Sequence, residues 1–153
     1  MKSLRIGLSL AMMLMVATVM GSQVAVAGSS YCVARYGTVV VQQGSATCSA
    51  DSTSVATANG DGSSAYASDN STATANGTNS FAGALSGSKA TANGNSLTTF
   101  AEYGSTTIVN GYDSYASAFY GGTARINGDH SSAHAYNHCQ VTVNVNYKAD
   151  SCT

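Results

Sequence analysis

The pentapeptide Ala-Thr-Ala-Asn-Gly occurs at residues 56–60, 73–77 and 90–94, with a constant spacing of 17 residues. Dividing the sequence at this spacing from Ser54 gives five copies over residues 54–138, with no insertion between them. A fixed period this short is typical of a solenoid, in which each repeat forms one coil and stacks on its neighbours. We therefore predict an all-β fold, a single β-solenoid (β-helix or β-roll). Degenerate copies start at Gly37 and Cys139, which brings the expected number to about seven coils.

The sixth position of the repeat is asparagine in the five complete copies and in the last, truncated one, and glutamine (Gln42) in the degenerate first copy; in the five complete copies it is followed by glycine. Asn-Gly tolerates a left-handed backbone and marks a turn. Side-chain amides stacked at the 4.7–4.9 Å spacing of neighbouring strands can bond along the stack as a ladder. The alternative, five unrelated turns, does not explain the constant register. The predicted ladder contains Asn59, Asn76, Asn93, Asn110, Asn127 and Asn144.

Small residues alternate with polar ones on both sides of this turn, which predicts two short strands in each coil. The inward positions of the first strand begin with Ala56 and Ala58, and those of the second with Ala65 and Ala67. In the flanking copies, the inward positions of the first strand are Val39, Val41, Val141 and Val143. Because alanine fills little space, such strands predict a thin, flattened coil or one wall of a larger assembly.

The outward positions of the second strand, and the turn that follows it, carry most of the aromatic residues. An aromatic column that also contains Ser, Gly and His is a poor core, so we predict that the rings face outward. The alternative is that the faces are inverted and the rings form the core. Exposed aromatic surface is typical of an interaction site, and tyrosine suits one because its ring is apolar and its tip polar. The predicted binding residues are Tyr66, Phe81, Phe100, Tyr103, Tyr115, Phe119, Tyr120 and Tyr136.

The four cysteines lie in the two flanking segments and nowhere between them. Cys32 and Cys48 are 16 residues apart and Cys139 and Cys152 are 13 apart, so each gap is close to one coil. A bond from Cys48 to Cys139 would have to span more than five coils, roughly 25 Å at the strand spacing. We therefore predict the pairs Cys32–Cys48 and Cys139–Cys152, one at each end of the solenoid.

Residues 1–27 have the pattern of a signal peptide, with Lys2 and Arg5 before an apolar run and Ala-Val-Ala at 25–27. We expect cleavage after Ala27, a secreted or cell-surface protein, and no membrane span in the remaining chain. The mature part then divides into an N-terminal cap and degenerate first coil (28–53), the five repeats (54–138) and a C-terminal cap (139–153). An even number of cysteines fits disulfide formation in an exported domain.

Charge and motif content argue against several function classes. Six Lys and Arg residues stand against seven Asp and Glu, and two of the six lie in the signal segment, so nucleic acid is not an expected partner. We expect no enzyme, no cofactor and no metal. His130, His134 and His138 have zinc-like spacing only on a helix, and Asp61, Asp113 and Asp129 do not match the calcium-binding nonapeptide repeat.

The segments STATANG and NSFAGALSG resemble the β-roll head repeats of trimeric autotransporter adhesins. The chain is also similar to small exported actinobacterial proteins of unknown function that carry Ala/Thr/Ser/Gly repeats. The adhesin resemblance implies a β-roll and adhesion to a host or matrix surface. A third similarity is to ice-binding β-solenoids, which are small, disulfide-bonded and rich in Ala and Thr. Those proteins present a regular Thr-x-Thr array, whereas here only Thr72 and Thr74 make such a rung and Lys89 and Arg125 interrupt the face.

Together these patterns predict a structural or adhesive β-solenoid that binds an extracellular glycan, a protein or itself through the aromatic residues. The alternative is an ice-binding β-solenoid. A disordered chain is a third possibility, which the uninterrupted register disfavours.

Overall fold

A computed structural model describes residues 30–153, and this part of the chain is all-β and contains no helix. Residues 1–29, and with them the predicted signal peptide and its cleavage site, lie outside the described residues. The strands are β1 (Tyr31–Arg35), β2 (Thr38–Gln43), β3 (Thr47–Ala50), β4 (Val55–Asn59), β5 (Ser64–Ser68), β6 (Thr72–Asn76), β7 (Phe81–Leu85), β8 (Lys89–Asn95), β9 (Thr98–Ala101), β10 (Thr106–Tyr112), β11 (Tyr115–Ala118), β12 (Thr123–Asn127), β13 (Ser132–Ala135), β14 (Gln140–Val143) and β15 (Ala149–Cys152).

The strands form two sheets that face each other across a thin core. The first sheet has the order β14-β12-β10-β8-β6-β4-β1-β2, and the second has the order β15-β13-β11-β9-β7-β5-β3. From β4 to β15 every pairing is parallel and joins residues 17 apart, such as Ala56 with Ala73 and Ala65 with Ala82. Each repeat therefore supplies one strand to each sheet, and the predicted β-solenoid is confirmed, with about six turns.

The core is built mainly from the alanine columns. Ala58, Ala75 and Ala92 in the first sheet and Ala67 and Ala84 in the second have no exposed surface. Larger side chains enter only in the later coils, and the largest of them are Leu97, Val109, Ile126 and Val143. No aromatic ring belongs to the buried core of residues 30–153. The two sheets approach closely because alanine projects so little from each strand.

The N-terminal end differs from the prediction. Strand β1 enters the first sheet between β2 and β4 and runs antiparallel to both. It takes the place that β2 would have as the first strand of a regular coil, so β2 becomes the edge of the sheet. Val39 and Val41 are consequently exposed, and the prediction that they line the core is wrong. For the same reason the solenoid has about six turns and not the seven that counted this segment.

The Asn-Gly turn holds consecutive coils together through side-chain amides. The Asn76 amide nitrogen donates to Asn93 (2.8 Å), and the same bond links Asn93 to Asn110, Asn110 to Asn127 and Asn127 to Asn144. Asn59 is in backbone register with Asn76, but its side chain makes no such bond. The ladder therefore spans five of the six predicted asparagines.

Removing one amide from the middle of this ladder is expected to cost stability. Asn93→Ala deletes two hydrogen bonds, one accepted from Asn76 and one donated to Asn110. We expect the free energy of unfolding to fall by about 1–3 kcal/mol, measured by denaturant titration. Asn59→Ala is the matched control, because the same substitution there removes no ladder bond. Equal losses in the two variants would show that the ladder does not stabilise the stack.

A disulfide closes each end of the solenoid. Cys32 in β1 is bonded to Cys48 in β3, with 5.7 Å between their Cα atoms. Cys139 is bonded to Cys152 in β15, with a Cα separation of 6.1 Å. The first bond links β1 to β3, the edge strand of the second sheet, and the second links the residue before β14 to β15, the strands at the opposite end of the two sheets.

Candidate functional site

The outer surface of the second sheet carries the predicted binding residues and is called the aromatic face below. Its rings come from alternate positions of β5, β7, β9, β11 and β13 and from the residues just after them. None of these side chains is buried, and the most exposed are Tyr120 (55%), Tyr103 (53%) and Tyr66 (43%). The residues of the aromatic face are Tyr66, Phe81, Phe100, Tyr115, Phe119 and Tyr136, with Tyr103 and Tyr120 along one edge.

Small residues between the rings allow them to lie against the sheet. Gly83 in β7 is buried although it points outward, because the neighbouring rings cover it. A Cβ atom at Gly83 would stand 2.6 Å from the ring of Phe100 and 3.2 Å from that of Phe81. Ser117 is likewise outward but only 1% exposed. The alternation of large and small outward residues therefore produces a surface tiled by rings.

Neighbouring coils place these rings in contact along the axis. Phe119 and Tyr136 stack with their centroids 5.2 Å apart and an angle of 11° between the rings. Phe100 lies 6.4 Å from Phe119 in a tilted arrangement. At the edge, Tyr103 and Tyr120 stack at 4.9 Å and are nearly parallel, with an angle of 3°. The aromatic face is thus continuous through the third, fourth and fifth repeats.

A second aromatic column lies at the opposite edge, where the chain turns from the first sheet to the second. His130 stacks on Tyr147 at 4.8 Å, meets Tyr112 edge-on at 5.5 Å, and lies 3.8 Å from the carboxylate of Asp113. Tyr112 and Tyr147 are not among the binding residues predicted from the sequence. Aligning the truncated last copy places Tyr147 in one column with Asp113 and His130, at a spacing of 17 residues, whereas Tyr112 lies one position earlier in its repeat.

The outer surface of the first sheet, here called the Thr/Asn face, has a different chemistry. It presents threonine and the asparagine ladder, together with three exposed cations, Arg35, Lys89 and Arg125. No acidic residue occupies an outward position of β1, β4, β6, β8, β10, β12 or β14. None of the three cations takes part in an ion pair within residues 30–153. The Thr/Asn face is therefore positively charged.

Acidic groups lie at the edge of the aromatic face instead. Glu102 follows β9 directly, and Asp51 follows β3 at the corresponding position. The Asp51 carboxylate accepts hydrogen bonds from the backbone N–H of Asp69 (2.5 Å) and the backbone N–H of Thr53 (3.0 Å). Hydrogen bonds to the carboxylate hold the pKa of Asp51 well below its usual value. The largest contribution comes from the N–H of Asp69, and smaller ones come from the Ser54 side chain and the N–H of Thr53. Asp51 is therefore an anion at neutral pH.

The three histidines lie at separate places on the surface. His130 belongs to the turn column described above, His138 lies in the turn beside Gly121, and His134 projects from β13 and lies 3.0 Å from the Ser132 hydroxyl. Among residues 30–153, no three His, Cys, Asp or Glu side chains are grouped as metal ligands. The same part of the chain contains no helix long and apolar enough to cross a membrane.

No protein-family model, curated protein or solved structure matches this chain significantly. The solenoid arrangement agrees with the resemblance to adhesin β-rolls, but no family match confirms it. What the fold and the surface define is a class, a two-sheet β-solenoid closed by a disulfide at each end. Two structural disulfides indicate an oxidising environment.

Proposed function

We propose that this protein is a secreted or cell-surface adhesive β-solenoid that binds an extracellular partner through its aromatic face and catalyses no reaction. One observation carries the proposal: the outside of a single sheet is tiled with rings while the core of residues 30–153 contains none. In most folds such rings are the main contributors to the core, because each can bury 150–250 Å². Here they stabilise the fold only in part and remain available to a partner.

The half-exposed state of the rings fits an interaction surface. Phe81, Phe100 and Phe119 are partly covered by their neighbours, so the face is flat and its side chains are already ordered. Ordered aromatic side chains lose little conformational entropy on binding, which favours affinity. A flat apolar surface with tyrosine hydroxyls at its margin suits the face of a sugar ring or another protein surface. Disulfide closure supports a location outside the cytoplasm.

The proposal is tested by removing rings without disturbing the coil. Tyr66, Phe100, Tyr115 and Phe119 are replaced together by serine, and binding is measured on an oligosaccharide array and by self-association in solution. We expect the four substitutions to abolish whichever binding the unaltered protein displays. Circular dichroism must show that the β-structure remains.

The matched control places four serines on the opposite surface. Thr72, Thr74, Thr91 and Thr106 all lie on the Thr/Asn face and keep a hydroxyl after substitution. On an array of glycans this variant should bind as the unaltered protein does. Unchanged binding by the variant with serine on the aromatic face would refute the proposal.

Ice binding is the second candidate, and the regularity of the Thr/Asn face favours it. Outward residues of β4, β6, β8, β10 and β12 keep strict register, so threonines such as Thr57, Thr74 and Thr91 stand one strand spacing apart. Thermal hysteresis of the oxidised protein decides the matter, since an ice-binding protein lowers the freezing point without lowering the melting point.

A further inference from the structure

We propose that the partner of the aromatic face is the Thr/Asn face of a second copy of this chain, so that copies stack face to back in an open-ended series. This inference rests on the proposed function, since it assumes that the aromatic face binds a partner. It is carried by the positions of four charged residues relative to the strand register.

In each coil, the start of the first-sheet strand and the end of the second-sheet strand lie at the same edge of the flattened solenoid. The chain leaves the second sheet at Asp51 or Glu102 and, after a short turn, enters the first sheet at Val55 or Thr106. The first residues of the first-sheet strands therefore lie behind the residues that end the second-sheet strands. Lys89 is such a first residue, and Arg35 is paired with Val55 and so occupies the same column.

The two cations and the two anions of this edge have the same separation along the axis. From Arg35 to Lys89 the first sheet advances three strands, through β4 and β6 to β8. From Asp51 to Glu102 the second sheet also advances three strands, through β5 and β7 to β9. At 4.7–4.9 Å for each step, both separations are about 14 Å.

Each cation also lies at the same height along the solenoid axis as one of the anions. Strands β8 and β9 belong to the same coil, and β1 and β3 each lie one strand before β4 and β5. A second copy displaced perpendicular to the sheets, without rotation, therefore sets Lys89 over Glu102 and Arg35 over Asp51. Two charge pairs form at once, and they involve two of the cations that have no partner within residues 30–153.

The same displacement brings complementary groups together in the middle of the faces. Ile108 on β10 comes to lie over Ser117 on β11, which the rings of the aromatic face surround. Arg125 on β12 comes to lie over His134 on β13, next to Tyr136, where a guanidinium can stack on an aromatic ring. Ile108, the apolar side chain on the outward side of β10, and Arg125, the remaining cation, thus both meet aromatic neighbours.

A contact between two different faces does not close on itself. Each bound copy still presents an aromatic face on one side and a Thr/Asn face on the other, so addition continues. Pairing of two aromatic faces by a two-fold axis would stop at a dimer and would leave Arg35 and Lys89 outside the contact. The two modes therefore predict different masses and different responses to charge reversal.

The test uses the disulfide-bonded protein as exported by its expression host. Light scattering during size exclusion is measured over a concentration series for the unaltered protein and for Lys89→Glu, Glu102→Lys and the double variant. For the unaltered protein we expect a mass that rises with concentration beyond that of a dimer. Each single reversal places like charges together and should weaken association about tenfold or more, and the double variant should restore it. Asp113→Lys changes the net charge as Glu102→Lys does, but at the opposite edge, and should have little effect.

Three results would overturn the stacking. One is a monomer at every concentration, which leaves the glycan array to decide the proposed function. Another is a dimer limit with Lys89→Glu silent, which would indicate that the aromatic face pairs with itself. The third is failure of the double variant to recover while circular dichroism shows it folded. In each case the four-serine variant of the aromatic face reports separately on the proposed function.

Discussion

Gly94→Ala is expected to destabilise the protein by about 2–4 kcal/mol. Gly94 follows Asn93 in the ladder turn and has φ of +139°. A Cβ atom there would stand 1.9 Å from the carbonyl oxygen of Gly111 in the next coil. Because that oxygen belongs to the backbone of a stacked coil, the clash can be relieved only by moving one coil away from the next.

Gly104→Ala is the matched control for this prediction. Gly104 also has positive φ, at +72°, but a Cβ atom there would meet nothing within 4 Å. Its cost should be limited to the backbone conformation, about 1 kcal/mol. Denaturant titration of both variants separates the two effects, and an equal loss would show that close stacking of the turns is not the cause. In the last coil Val145 stands at the position of Gly94, and its side chain meets no backbone there because no coil follows.

Removal of both disulfides is expected to have the largest effect of all. In the chain-entropy account, each bond restricts the unfolded chain by about 3 kcal/mol for loops of this length. An alanine core contributes little hydrophobic stabilisation for each residue, and an end coil is packed on one side only. We therefore expect the chain with all four cysteines replaced by serine to be largely unfolded at room temperature, as seen by circular dichroism.

The single-pair variants locate the effect. Replacing Cys139 and Cys152 should increase hydrogen exchange in β14 and β15 and leave β1 to β3 protected. Replacing Cys32 and Cys48 should do the reverse, because each coil contacts only its neighbours. A common rise in exchange along the whole chain would contradict this, and so would an unfolding midpoint that does not change on reduction.

The sequence predicted most of the fold because one period governs every local choice. In each repeat the alternation of small inward residues and the Asn-Gly turn indicate the same coil length, and the cysteine spacing in the flanking segments is close to it. When such local patterns agree, the fold can be predicted from a single sequence. The outward direction of the aromatic positions followed from the same columns, since residues such as Ser117 and His134 share them.

The prediction failed where the chain leaves the repeat. Residues 37–43 keep the pattern of a coil, with Val39 and Val41 at its inward positions, yet β1 displaces β2 to the edge of the sheet. Strand β1 lies before the repeat and runs in the opposite direction, so no comparison of copies could place it. Two strands competed for one position beside β4, and the sequence pattern of either one alone does not decide between them.

The sequence by itself determined the coil, the register and the pairs of cysteines, because these depend on spacing along the chain and on the side chains that fit a narrow core. Tertiary structure alone decided which strand ends the first sheet, how the rings cover Gly83 and Ser117, and that Lys89 lies back to back with Glu102. These features join residues of different coils or different sheets. They depend on the distance between the two sheets and on which strand occupies the edge of a sheet, and the sequence of a single repeat determines neither.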